Sequence, residues 1–313
     1  MRLRQNVWHF ALVLLVLIPS GPAGAHRDPS GEVHPFVRAE DGHFAIYTWQ
    51  YGGDHGYSPV RRIIYTPEGQ IKVSSAVVTD PVILESLKSD EPMPTAGAAR
   101  PNVWVELAPK ASAKNQNILS DPFIDDVGLI QRGFYLSDGR ETQPKRTLLP
   151  LKSEAATGLE ASLVRDEAIG LAWGKRLSEM NESQRNIELW FAWIDRPDLK
   201  SICEISLGEC ASIYDSAVVS NLLWAGDHVW LAWVRKAKGH ENRPPTKQWV
   251  TLLAHIDPST GTVSEEVLDA PSHWNAHLSM DVCDGWLCLA WHCSKDGSYP
   301  GDAQIVTVFR KLK

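Results

Sequence analysis

The amino-acid sequence predicts an all-β fold, a β-propeller of about five four-stranded antiparallel blades. Three observations carry that expectation. A short apolar run ending in Ala-Trp recurs along the chain. Its copies are evenly spaced. Each copy sits between the same two kinds of turn. Val229-Trp230-Leu231-Ala232-Trp233 is the clearest copy, with Ile169-Gly170-Leu171-Ala172-Trp173, Leu287-Cys288-Leu289-Ala290-Trp291 and the looser Phe44-Ala45-Ile46-Tyr47-Thr48-Trp49 beside it. Trp173 and Trp233 lie 60 residues apart, and Trp233 and Trp291 lie 58 apart. Trp104, 55 residues after Trp49, supplies the missing anchor. A fixed period of this size is the mark of a repeat architecture.

The unit reads as strand A, tight turn, strand B ending in Ala-Trp, long loop, strand C, Pro/Gly turn and strand D. The tight turns are Glu40-Asp41-Gly42-His43, Arg165-Asp166-Glu167, Ala225-Gly226-Asp227 and Cys283-Asp284-Gly285. Asp-Gly between apolar runs favours a two-residue hairpin, because both central residues need positive φ. The C–D turns include Thr66-Pro67-Glu68-Gly69, Asp195-Arg196-Pro197-Asp198 and Asp257-Pro258-Ser259-Thr260-Gly261. Strand B is apolar throughout because a blade is covered on both faces. Its Trp then fills the space between blades.

Taken from the start, residues 1–25 read as a secretory signal peptide. Arg2 and Arg4 form a basic opening, Phe10–Ile18 is an apolar core too short to span a bilayer, and Ala23-Gly24-Ala25 offers a cleavage site. Residues 26–313 are then a single propeller domain, secreted or periplasmic, with no membrane span. Blades are anchored near Trp49, Trp104, Trp173, Trp233 and Trp291. The last blade has no strand D of its own after Phe309, so the stretch from His26 to Pro35 is expected to pair with it. The second blade is the most divergent, its entry broken by Pro92, Pro94, Gly97 and Pro101.

The net charge of −7 excludes a nucleic-acid partner, which needs clustered Lys and Arg. Of the five cysteines, Cys203 and Cys210 are the candidate disulfide in an oxidising compartment. Cys288 alternates with leucines and reads as a small core residue. Asp121, Asp125 and Asp126 fit no calcium-loop spacing. His273 and His277 are four apart, which is ligand spacing on a helix and not on a strand. There is no GxGxxG, P-loop, HExxH or Gly-x-Ser-x-Gly element. No metal and no cofactor are expected.

The D–A connections and the long B–C loops share one face, the expected ligand surface. Tyr51-Gly52-Gly53-Asp54-His55-Gly56-Tyr57 and His273-Trp274-Asn275-Ala276-His277 stand out there. The candidate binding residues are Asp54, His55, Tyr57, Tyr214, Asp215, His273, Trp274 and His277. Aromatic faces beside amides, acids and imidazoles suit a carbohydrate, whose carbons stack and whose hydroxyls hydrogen-bond.

The hairpins ending in hydrophobic-x-Ala-Trp resemble those of the sialidase-like propeller superfamily, from about Val33 to Phe309. Arg62-Ile63-Ile64 stands where that superfamily carries Arg-Ile-Pro, without the proline. Ser137-Asp138-Gly139 is a fragment of its Ser-x-Asp-x-Gly-x-Thr-Trp turn. No arginine triad or Tyr-Glu pair is matched in the sequence. The resemblance implies the propeller fold, and two functions stay open. One is a non-catalytic module that binds a glycan or an extracytoplasmic protein. The other is a sialidase-like or furanosidase-like glycoside hydrolase with a diverged site. A hydrolase needs two carboxylates across the sugar, roughly 5–9.5 Å apart, and Asp54, Glu160, Asp215 and Asp281 are the candidates for them.

Overall fold

A computed structural model describes residues 13–16, 33–50, 59–81, 83–84, 103–109, 132–138, 145–151, 158–176, 187–213, 216–237, 249–268, 274–294 and 304–312. In chain order, β1 (Val13–Val16) is followed by a sheet of β2 (Val33–Glu40), β3 (His43–Gln50), β4 (Arg61–Tyr65) and β5 (Ile71–Val77). The second sheet holds β6 (Val103–Pro109), β7 (Arg132–Asp138) and β8 (Lys145–Leu148). The third holds β9 (Gly158–Val164), β10 (Ala168–Arg176), β11 (Ile187–Asp195) and β12 (Lys200–Cys210). A short ribbon of β13 (Ser212–Ile213) and β14 (Ser216–Ala217) leads to the fourth sheet of β15 (Leu223–Ala225), β16 (His228–Lys236), β17 (Trp249–Asp257) and β18 (Thr262–Val267). The fifth contains β19 (Trp274–Cys283), β20 (Trp286–Ser294) and β21 (Gln304–Lys311).

The fold class is all-β, made of antiparallel blade sheets of the propeller kind. Sheet order follows chain order, as in β2-β3-β4-β5 and β15-β16-β17-β18. The chain forms two compact units, one of Met1–Ser89, Pro245–Lys247 and Ser272–Lys313, the other of Asp90–Pro244 and Gln248–Pro271.

Turn chemistry sets the hairpins. Asp41 and Gly42 have φ of 47° and 72°, Gly226 and Asp227 of 58° and 61°, and Asp284 and Gly285 of 48° and 74°. Paired positive φ is the two-residue geometry whose twist matches the strands. The Arg165–Ala168 turn closes instead through the Arg165 N–H on the Ala168 carbonyl at 2.8 Å.

The cores lie between neighbouring sheets. In the second unit Trp173 packs with Phe134, Leu149 and Ile194, and Trp233 with Phe191, Trp193 and Leu222. In the first unit Phe44, Tyr65, Cys288, Ile305 and Phe309 share one core. Trp173, Trp233 and Trp291 are fully buried, as the repeat requires. Trp49 differs, being only partly buried at the end of β3.

Two expectations are corrected. In its described residues, the stretch from His26 to Pro35 is not the strand beside β21. Its described part, from Val33 onward, begins β2 and pairs with β3. The open position on β21 is taken by Val13–Val16. The Cys203–Cys210 disulfide is not formed, and both thiols are free. The two residues lie on one strand, β12, and seven residues of extended chain place them about 23 Å apart. A disulfide needs Cα atoms within roughly 7 Å. Cys283, Cys288 and Cys293 form no disulfide either, and Cys288 is a fully buried core residue as expected.

Candidate functional site

In the first unit the starts of β2 and β19 and the ends of β3 and β20 carry the predicted ligand loops. Val33 pairs with Gln50, and Trp274 pairs with Ser294, so each hairpin delivers two chain ends to its loop end. Loops 51–58 and 295–303 leave from there. The loops themselves, with Asp54, His55 and Tyr57, lie outside the described residues. So do Tyr214, Asp215 and His273. Trp274 is described as the first residue of β19.

What the described strand ends bring together is a column of four rings. His34, the second residue of β2, lies opposite Trp49, and the rings stack at 5.5 Å between centroids with planes 13° apart. His34 also meets His277, with ring centroids 3.8 Å apart and planes tilted by 37°. His277 in turn lies parallel to His292, 6.3 Å away with 3° between planes. Trp49, His34 and His277 are partly exposed, whereas His292 is fully buried.

Local backbone explains how His277 enters the column. The β19–β20 pairing slips between Ala276 and Ser279, and His277 adopts a φ of +52°. A bulge of this kind re-aims one side chain out of the alternation. Left-handed backbone at a residue other than glycine costs about 1–3 kcal/mol, and such strain gathers at functional sites. Sequence reading placed His277 at the site but missed His34, Trp49 and His292. Their signal is a cross-strand one: His34 and Trp49 are 15 residues apart in sequence and become neighbours through the Asp41-Gly42 hairpin.

Buried polar side chains cluster on the same strand ends. Asn275, His292 and Ser294 have 2%, 0% and 0% exposure. Burying so many hydrogen-bonding groups is costly unless each is satisfied, so this end is not built as an apolar plug. Among the described residues no group of three or more His, Cys, Asp or Glu is placed to hold a metal ion.

The two described carboxylates among the sequence candidates have structural work. Asp281 Oδ2 accepts the Ala39 N–H at 2.7 Å and its Oδ1 accepts the Val282 N–H at 2.8 Å. Two residues earlier, Ser279 Oγ accepts the Val37 N–H at 3.0 Å. Together they hook β19 to β2. Glu160 does the same in the second unit, accepting the Ala217 N–H at 2.9 Å. Burial pushes both carboxyls above the usual carboxylate range, while the backbone donors pull them back.

A further polar network, also missed in the sequence, joins Tyr47 to Glu40. The Tyr47 hydroxyl donates to Glu40 Oε1 at 2.6 Å, and Arg38 and Arg62 approach the same carboxylate at 3.4 and 3.9 Å. Burial, reinforced by the Glu40 contact, raises the phenol to about 12. It therefore stays protonated at neutral pH. Glu40 ends β2 beside the tight turn, at the opposite end of the hairpin from His34.

No family model matches the chain, and no curated protein matches it. Solved structures do. An exo-1,5-α-L-arabinanase from a bovine ruminal metagenomic library is 9% identical, with 90% of this chain and 93% of that one covered and a TM-score of 0.36. A GH32 β-fructofuranosidase of Bombyx mori is 15% identical, covering 91% and 64%, with a TM-score of 0.38. An endosialidase of phage phi92 is 10% identical, covering 58% and 32%, with a TM-score of 0.35. These are likenesses of chain path, and no chemistry is carried over from them.

Proposed function

We propose that this chain is a non-catalytic carbohydrate-binding β-propeller that works outside the cytoplasm. The sugar is held at the loop-bearing end of the first unit. The observation that carries this reading is the convergence of Trp49, His34 and His277, from three strands, on the chain ends from which loops 51–58 and 295–303 emerge. Trp49, the partly exposed ring at the end of the series, offers a flat apolar face to the C–H face of a pyranose or furanose, and His34 and His277 present their edges. Imidazole nitrogens supply donors and acceptors for ring hydroxyls. Trp274, a candidate from the sequence, is the first residue of β19.

Binding without hydrolysis is the better fit. Glycoside hydrolysis needs two carboxylates free to act on one sugar. Of the two described candidates, Asp281 accepts backbone N–H groups on both oxygens and Glu160 on one, and in each case one of these bonds joins neighbouring elements. The test is a glycan-array screen of residues 26–313, with reducing-sugar release assayed on every hit. Saturable binding without release, lost in Trp274→Ala, is the expected result. Release that survives Trp274→Ala and dies in Asp54→Asn or Asp215→Asn would make the chain a hydrolase. Silence on every glycan would point to a protein partner.

A further inference from the structure

The outer strands of these sheets show how the chain treats an edge. β5 exposes all seven residues, β8 three of four, and β18 five of six. Polar or charged side chains are spread through each, the usual protection of an open edge. β12 is exposed at three of eleven residues, and β21 differs from all of these in being covered by a further strand. Ile305, Val306, Thr307 and Val308 are 5% exposed or less. Gln304-Ile305-Val306-Thr307-Val308-Phe309 carries no charge and reads as an interior strand.

Its outer side is covered by β1. The pairing is antiparallel, with Val13 opposite Val308, Leu14 opposite Thr307, Leu15 opposite Val306 and Val16 opposite Ile305. The covering residues are also the centre of the expected export leader. The two roles conflict, because cleavage after Ala25 would carry the strand away. It would leave the outward-facing backbone groups of β21, those of alternate residues within the nearly buried Ile305–Val308, without partners.

We propose that the outer edge of β21, along Ile305–Val308, is a strand-acceptor slot. Its occupant is the N-terminal segment Val13–Val16, bound by main-chain pairing and not by its covalent link to β2. Strand addition of this kind draws affinity from backbone hydrogen bonds. It explains why β21 has an interior composition at the edge of its own sheet. It also gives the apolar leader a place to bind after it is cut.

The experiment uses the full chain, made without export and carrying a specific protease site between Ala25 and His26. It is purified folded and then cut. The 1–25 fragment is expected to stay with the body through gel filtration. Amides of Ile305–Val308 are expected to remain protected from hydrogen exchange. A lysine-flanked peptide of Ala11–Ile18, added to the cut complex, should displace the fragment. Its Leu14→Pro, Leu15→Pro analogue should not, since proline removes ladder N–H groups. Loss of the fragment on cutting would overturn the slot. So would equal displacement by the proline peptide, or a body that sheds the fragment and pairs with a second body.

Discussion

Two tryptophans from equivalent places in the repeat do different jobs. Trp233 is fully buried between sheets. A buried tryptophan removes roughly 150–250 Å² from water, an upper-bound gain of about 4–6 kcal/mol. Trp233→Ala should lower unfolding free energy by about 3–5 kcal/mol in a urea titration. Trp49 is partly exposed and stacks on His34, so Trp49→Ala should cost roughly 1–2 kcal/mol and act mainly on ligand binding. Carboxylates separate in the same way, and their pH signatures run in opposite directions. Asp281 is raised by burial, so the native state holds its proton more tightly than the unfolded chain. Its stabilising contribution is greatest below the ordinary aspartate range and falls as pH rises through the raised value. Asp281→Ala leaves the Ala39 and Val282 N–H groups without this acceptor, at a cost of about 2–4 kcal/mol. The gap in denaturation midpoint from the unmodified chain should be wider near pH 3 than at neutral pH. Asp257 is lowered to about 2 by the Ser259 hydroxyl and N–H. Its contribution is present above the ordinary range and fades as pH falls toward about 2. The Asp257→Ala gap should therefore close in acid where the Asp281→Ala gap opens.

At the scale of elements, turns decide what the strands can do. Gly69 has a φ of +88°, and a Cβ there would lie 2.5 Å from the Phe309 ring. Gly208 has a φ of +85° with nothing within 4 Å of that position. Both alanine variants carry the backbone strain, about 1–3 kcal/mol, and only Gly69→Ala adds a clash. Its melting temperature should fall further than that of Gly208→Ala; equal losses would mean that Phe309 moves aside freely. The free thiols make a second element-level prediction. Reductant should leave the melting temperature unchanged, because Cys203 and Cys210 share one strand and form no bridge. Much of this level was legible in the sequence. Apolar runs, tight-turn residues and the Ala-Trp spacing located the hairpins that hold β3, β10, β16 and β20, whereas β1, β13 and β14 had no such signal. The disulfide was misread because spacing on a line says nothing about direction along a strand. The ring column was half legible. His277 stood in a conspicuous motif, but its bulge, and its meeting with His34 across two sheets, depend on tertiary pairing that no local window contains. The hook from Asp281 to Ala39 was hidden for the same reason, since 242 residues separate its ends.

At the scale of the molecule, the account rests on a division of labour within the first unit. One end of the β2–β3 hairpin carries Glu40 and the tight turn, and the Tyr47 hydroxyl reaches Glu40 from the middle of β3. The other carries His34, Trp49 and the loop segments. Between them Ser279 and Asp281 fasten β19 to β2, which holds His277 against His34. The acidic whole, with a net charge of −7, suits a neutral or weakly charged ligand better than a polyanion. The measurement that bears most directly on the claim is an NMR titration of the imidazole resonances with the strongest hit from the glycan screen. The account predicts saturable shifts at His34 and His277, attenuated in Trp49→Ala, with His228 and His255 of the second unit unmoved and no new reducing ends in the tube. Shifts confined to His228 and His255, or steady release of reducing sugar during the titration, would contradict it.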